Sequence, residues 1–298
     1  MATLREIRGR IVGVRNTSKI TQAMKMVAAA KMRRAQDGIT AARPYAKEIS
    51  KLLRHLTGRV DRTTLPLLAE RHEVDKILIV IVSADRGLCG GFNTNIIRAA
   101  TQRIHSTYGE KYQEGKVKLI CVGRKAHDFF MKRDYEMVGK HLGVFQHLQF
   151  STAQQIVTEI VDGYLNFDYD KVELIYNEFK SIMQQKVVVE EFLPLPIEEH
   201  VRAEDIHQEH FIEYLYEPSE RELMEKLVPH QLNFQMWHAL LESNASEQSA
   251  RMTAMEAATQ NALELLRALK LSFNRARQAS ITKEILEIVA GADALKQS

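Results

Sequence analysis

Cysteine is almost missing from this chain: 298 residues hold two, Cys89 and Cys121. Two cannot build a disulfide scaffold, so a packed core and helix pairing must hold the fold, with both thiols reduced. Proline is sparse, at six residues, and tryptophan occurs once. No apolar run reaches the ~18 residues of a membrane-spanning helix, which excludes such a span. No secretory apolar segment follows Met1, and the early arginines belong to a helical pattern. The expectation is a protein made in place that meets a membrane only through partners. No His/Cys cluster has metal-ligand spacing, so neither a metal nor a cofactor is expected.

What is present is helix-forming sequence at both ends. From His230 to Ala290 run 61 residues with neither glycine nor proline. Those two residues break helices most strongly, by about 1 and 3 kcal/mol against alanine. The stretch reads as one helix, roughly 90 Å long at about 1.5 Å per residue. Steps of four and three from Leu241 reach Ala245, Gln248, Met252, Met255, Thr259, Ala262, Leu266, Leu269, Phe273, Ala276 and Ser280. Most are apolar, the pattern of a coiled-coil seam. A second seam runs Leu4, Ile7, Ile11, Val14, Ser18, Thr21, Lys25, Ala28, Met32, Ala35, Ile39, and on to Leu53 and Leu56. Only Ser18, Thr21 and Lys25 interrupt it. The two seams are expected to pack antiparallel; two amphipathic helices of a larger bundle are the alternative.

Charge is unevenly spread. Residues 1–34 carry nine Lys/Arg, among them Arg8, Arg15, Lys31, Arg33 and Arg34, against the single acid Glu6. The segment 230–298 is neutral, with seven of each sign, so under an overall charge of +3 the remainder is acidic. A basic helix face suits nucleic acid, an anionic membrane or an acidic protein surface, and a solvated face is the fourth reading.

Between the ends the period changes. Lys76–Val82, Val117–Val122 and Val172–Tyr176 read as strands buried on both faces. Helical patterns lie near 93–108, 124–133 and 151–166, which predicts a parallel α/β sheet with right-handed crossovers. Lys186–Leu193 and Phe211–Tyr216 read as further or edge strands. A short helix is expected at 219–227 before Pro229, and a kink in the first helix near Gly38 and Pro44. The predicted architecture is a long antiparallel coiled coil of N- and C-terminal helices with an inserted Rossmann-like α/β domain. Its boundaries are 1–57, 70–216 and 219–298.

Ser83–Asn93, with Gly87, Gly90 and Gly91, follows the first strand where an α/β fold places a phosphate loop. It lacks GxGxxG and the lysine of a P-loop. Cys89 at a helix start could be drawn as a nucleophile, but no histidine or carboxylate in the nearby sequence supports it. A tight glycine turn, with Asp85 and Arg86 hydrogen-bonding structurally or at an interface, is the preferred reading. No catalytic residue is assigned. The apolar cluster Ile281, Ile285, Leu286, Ile288 and Val289 ends the second helix beyond the reach of the first, and a sleeve of other subunits is expected around it.

Three stretches then resemble one family. Asn16–Ala35 (NTSKITQAMKMVAAAKMRRA) is similar to the N-terminal signature of the gamma subunit of F-type ATP synthases. Ser83–Asn93 resembles its central motif, and Arg275–Ile285 with Glu287–Ala292 its C-terminal signature. The resemblance spans essentially the whole chain. It implies a central rotor shaft inside a ring of three alpha and three beta subunits. The α/β domain would sit on a membrane-embedded c-ring beside epsilon, with one copy per complex. It implies that Met24, Lys25, Arg251, Gln278 and Thr282 contact the alpha/beta ring. It also implies that the basic face meets acidic loops of beta, and no nucleic acid. The subunit would bind no nucleotide. It would couple ion-driven rotation to ATP synthesis or hydrolysis on the cytoplasmic face of a bacterial inner membrane. No insertion of the photosynthetic type is present, so thiol regulation is not expected. A basic coiled-coil scaffold or nucleic-acid-binding protein, and an α/β enzyme with a coiled-coil arm, are the competing readings.

Overall fold

A computed structural model of the chain describes residues 3–57, 59–71, 73–196 and 216–296. They form two units: Met1–Ala28 with Arg251–Ser298, and Ala29–Ala250. The unit boundaries fall inside the two long helices, α1 (Leu4–Thr57) and α6 (Glu220–Lys296).

The larger unit is built on a five-stranded sheet. Its strands are β1 (Ile77–Val82), β2 (Val117–Val122), β3 (Glu136–His141), β4 (Lys171–Phe179) and β5 (Gln185–Leu193). Their order is β3-β2-β1-β4-β5. All pairings are parallel except β4 with β5. The continuous apolar run of β1 has a simple cause, since alternate side chains serve opposite faces. Leu78, Val80 and Val82 join α5 (Phe150–Leu165) and the C-terminal half of α1 through Ile156, Ile160, Ile49, Leu53 and Leu56. Ile77, Ile79 and Ile81 join α2 (Phe92–Thr107) and α4 (Arg124–Phe130) through Ile96, Ile104 and Phe130. The remaining helix is α3 (Gly109–Gln113).

Two expectations change. The short helix at 219–227 and the long one after it are a single helix with Pro229 inside. Met224, Val228, Leu232, Met236 and Leu240 recur every four residues and are all buried, so one packed stripe crosses the proline. Burial of that stripe outweighs the one hydrogen bond the ring removes. As expected, α1 runs through Pro44; Pro44 and Thr40 are both exposed, so the carbonyl left without a donor faces solvent. The second change is β3, which carries no apolar run and was not expected. Its side chains alternate between exposed and half-buried at the sheet edge. The strand expected at Phe211–Tyr216 falls outside the described residues, apart from Tyr216, which belongs to no regular element.

Candidate functional site

In the smaller unit the two seams meet. Every buried or half-buried residue between Leu4 and Ala28 lies on the seam, Met24 excepted, and between Leu263 and Ala290 only Leu266, Leu269, Phe273, Ala276 and Ser280 are half-buried. Two of the polar interruptions, Thr21 and Lys25, have partners across the helix pair. Thr21 Oγ1 lies 2.7 Å from Thr259 Oγ1. Lys25 Nζ donates to Glu256 Oε1 at 2.6 Å. The Arg8 guanidinium lies 5.6 Å from the centre of the Phe273 ring. The residue numbers of each pair add to 280 or 281, the signature of antiparallel helices in one register. By that register Thr3 faces about residue 278. Past it, residues 281–290 of α6 are exposed throughout, including Ile285, Leu286, Ile288 and Val289.

The five residues that the family resemblance assigns to the ring do not form one cluster. Met24 is half-buried, and Lys25 keeps 37% of its side chain exposed while paired to Glu256. Arg251 is buried, while Gln278 and Thr282 are exposed. Gln278 lies 22 residues beyond Glu256 on the same helix, about 33 Å along its axis. Of the basic residues, Arg8 and Arg15 are exposed in the smaller unit, and Lys31, Arg33 and Arg34 in the larger.

The glycine turn after β1 is a latch. Asp85 Oδ1 accepts from the backbone N–H of Arg124 at 3.2 Å and of Gly143 at 2.8 Å. Asn93 Oδ1 accepts from Ala84 N at 3.0 Å, and Asn93 Nδ2 reaches Cys89 Sγ at 3.1 Å. Leu88 and Gly90 take positive φ, of 63° and 56°, which tightens the turn. Ser83 Oγ accepts from Ala126 N at 2.9 Å and so joins the end of β1 to α4. Gly123 makes this approach possible: its φ is +94°, and a Cβ there would sit 2.0 Å from Ser83 O. Asp85 Oδ1 and Asn93 Oδ1 thus hold backbone N–H groups, while Asp85 Oδ2 is buried without a hydrogen-bond partner among the described residues. Cys89 is buried against Ala84 and Phe92, and burial pushes the Cys121 thiol up to about 12, which keeps it protonated at neutral pH. Among the described residues, no group of three or more His, Cys, Asp or Glu could hold a metal ion. None of the described helices is long and apolar enough to cross a membrane.

Sequence reasoning missed a charged cluster inside the sheet core. Glu173, 2% exposed on β4, accepts from Arg103 Nε at 2.9 Å, Arg103 Nη2 at 2.6 Å and Tyr108 Oη at 2.5 Å. Burial alone would raise the carboxyl pKa, but these bonds together hold it below its ordinary value. The signal was available: one glutamate within the apolar run Val172–Tyr176 needs a cation nearby.

The larger unit therefore sets its α/β elements in chain order between α1 and α6, and in the smaller unit the ends of those two helices pair with each other. A sequence model of the family described as ATP synthase matches residues 3–295. The chain is 51% identical over 303 residues to the ATP synthase gamma chain of Chloroherpeton thalassium, with both chains covered completely. It is also 51% identical over 297 residues to that of Chlorobaculum parvum, again with full coverage. A central-stalk chain of the Tetrahymena thermophila mitochondrial ATP synthase is similar at TM-score 0.59 and 26% identity, covering 80% of this chain and 99% of that one. A chain from the Euglena gracilis mitochondrial enzyme shares the fold at TM-score 0.65 and 22% identity, covering 98% and 94%. The chain belongs to the gamma-subunit family of the F-type ATP synthases. Its function is that of the rotor shaft.

Proposed function

We propose that this shaft couples rotation of a c-ring to nucleotide turnover in a surrounding ring of three alpha and three beta subunits, in either direction, and sets the rates of hydrolysis and proton flow. The exposed apolar end of α6 carries this reading. Ile281, Ile285, Leu286, Ile288 and Val289 lie beyond the register in which α1 can cover them, and such a tip needs a sleeve. Gln278 and Thr282 are the exposed polar groups beside that tip and would hydrogen-bond its wall. Met24, Lys25 and Arg251 would meet the ring at a second level. Arg8, Arg15, Lys31, Arg33 and Arg34 would present a basic face to acidic loops of beta, an electrostatic contact that every orientation can remake.

In this reading residues 1–57 and 219–298 supply the shaft, and 70–216 the body that meets the c-ring and epsilon. One copy serves each complex. The complex lies on the cytoplasmic face of a bacterial inner membrane, and this chain reaches the membrane only through its partners. No residue here is assigned to catalysis, and no cofactor to the chain.

Reconstitution tests the reading. The full chain is mixed with alpha and beta subunits of its own source, and ATP hydrolysis is followed with and without it. A complex with one copy per three alpha–beta pairs, and steady turnover only in its presence, is expected. A truncation to residues 1–275, which removes Gln278, Thr282 and the tip, should assemble more weakly. Failure of the full chain to enter the complex would sink the proposal. Steeply salt-dependent binding of DNA or RNA would then favour the nucleic-acid reading of the basic helix.

A further inference from the structure

The ladder between β1 and β4 stops at Ile81 and Ile175, because β1 ends at Val82 and the chain turns away into the glycine loop. Strand β4 continues to Phe179, paired only with β5. On the side that β1 leaves open, backbone groups of β4 and of the turn after it are met by α6. Glu242 Oε2 accepts from Phe179 N at 2.8 Å. Ser246 Oγ donates to Asn177 O at 3.1 Å, and Ser249 Oγ donates to Ile182 O at 2.7 Å. Gln185 Nε2 lies 3.4 Å from Ser249 Oγ. Spacings of four and three put Glu242, Ser246 and Ser249 on one helix face. All three are buried: Glu242 is 6% exposed, and both serines are 0% exposed. From Met224 to Leu241 the helix is held by an apolar stripe, with Gln235 Nε2 donating to Glu190 Oε1 at 2.7 Å and Glu191 O at 3.3 Å, and from Glu242 on three successive polar side chains take over. Apolar burial is non-directional, whereas a buried hydrogen bond fixes both distance and angle. The ladder ends one residue before Ala250, the last residue of this unit on α6.

We propose that Glu242, Ser246 and Ser249 are positioning residues that fix the azimuth of α6 on the β4–β5 hairpin, so that a twisting load on the helix is resisted at this ladder. The proposal rests on the rotor reading and names where within the chain its torque is held. Backbone groups of the β4–β5 hairpin do the gripping, so they resist rotation of α6 about its own axis in addition to the packed apolar stripe.

The test is torsional stiffness in the assembled complex. The alpha/beta ring is fixed to a surface, and a bead is attached through Lys132→Cys, an exposed position in the larger unit; Cys89 and Cys121 are buried and should not compete for label. The width of the bead's thermal angular distribution is read at rest. The variant Glu242→Leu/Ser246→Ala/Ser249→Ala is expected to widen it. Glu242→Gln alone keeps an acceptor for Phe179 N–H and is expected to hold the parental width. An unchanged width in the triple variant would overturn the proposal. If the triple variant does not assemble, Ser246→Ala and Ser249→Ala are measured singly, and unchanged widths in both would overturn it equally. A parent complex that assembles but never rotates with ATP would instead count against the rotor reading itself.

Discussion

Thr21 and Thr259 share one hydroxyl contact of 2.7 Å, yet each hydroxyl also has an acceptor on its own helix. Thr21 Oγ1 reaches Ser18 O at 3.1 Å, and Thr259 Oγ1 reaches Met255 O at 2.7 Å. Two protons serve three bonds. Either Thr21 donates across and Thr259 donates back to Met255, or the order reverses.

The first prediction follows from that accounting. Thr21→Val or Thr259→Val leaves the surviving hydroxyl a backbone acceptor, so no donor is orphaned. Each single change should shift local stability by no more than about 1 kcal/mol. The double-mutant coupling should be about 0.5–1.5 kcal/mol. Hydrogen exchange of amides 14–28, which reads opening of this helix pair, measures both.

Glycine at 123 is demanded twice, by its φ of +94° and by the 2.0 Å approach a Cβ would make to Ser83 O. Gly123→Ala should destabilise the α/β unit by about 2–4 kcal/mol, the sum of backbone strain and overpacking. Thermal unfolding of the full chain would register it. Gly109→Ala, where a Cβ meets nothing within 4 Å, is the matched control.

Acid should weaken the sheet unit through two carboxylates. Glu173 is held below its ordinary value of 4.5, with burial opposed and outweighed by Arg103 and Tyr108. Asp170 is likewise held below 3.8, with burial outweighed by the Lys76 and Asp75 N–H groups and by Arg71. A depressed folded pKa contributes stability above the ordinary value and loses it as pH falls through the folded one. The melting temperature should therefore drop steadily below about pH 4.5, and Glu173→Gln should flatten part of that slope. Arg103→Met should cost about 3–5 kcal/mol near neutral pH, because it strands a buried carboxylate.

The exposed end of α6 yields the fourth. Ile285→Asp with Ile288→Asp should reduce self-association of the isolated chain, read by light scattering, and weaken its entry into the alpha/beta ring. Neither residue touches the Thr21–Thr259 layer, so exchange protection there should be unchanged.

Much of this was legible in the residues. The seams from Leu4 and from Leu241 were read as packing antiparallel, and the burial of Ser18 and Thr21 with the half-burial of Phe273 and Ser280 follows them. The strand runs of β1 and β2 were equally plain, because strands buried on both faces leave no polar alternation to misread. Strand β3 was not legible. Its Gly139 lies where a Cβ would meet Glu159 Oε1 at 2.4 Å, so local sequence was set by a neighbour rather than by strand propensity. Glu242, Ser246 and Ser249 were not singled out in the sequence, since nothing local says that a strand ends beside them. The ring contacts proposed for Gln278 and Thr282 came from the family resemblance alone, because any complement would lie on another chain, and this sequence records only that the tip is left bare.

The smaller unit joins Met1–Ala28 to Arg251–Ser298, and its closing contacts link residues 231 and 238 positions apart. During synthesis the first of these segments must wait for the second. At 5–20 residues per second the delay is on the order of 10–50 s. Through that interval a basic helix with Ile7, Ile11 and Val14 uncovered stands outside the ribosome without its mate, while the α/β unit can already close. The order of assembly is thereby built into the chain: body first, shaft last, with nascent-chain chaperones the natural custodians of the amino-terminal helix.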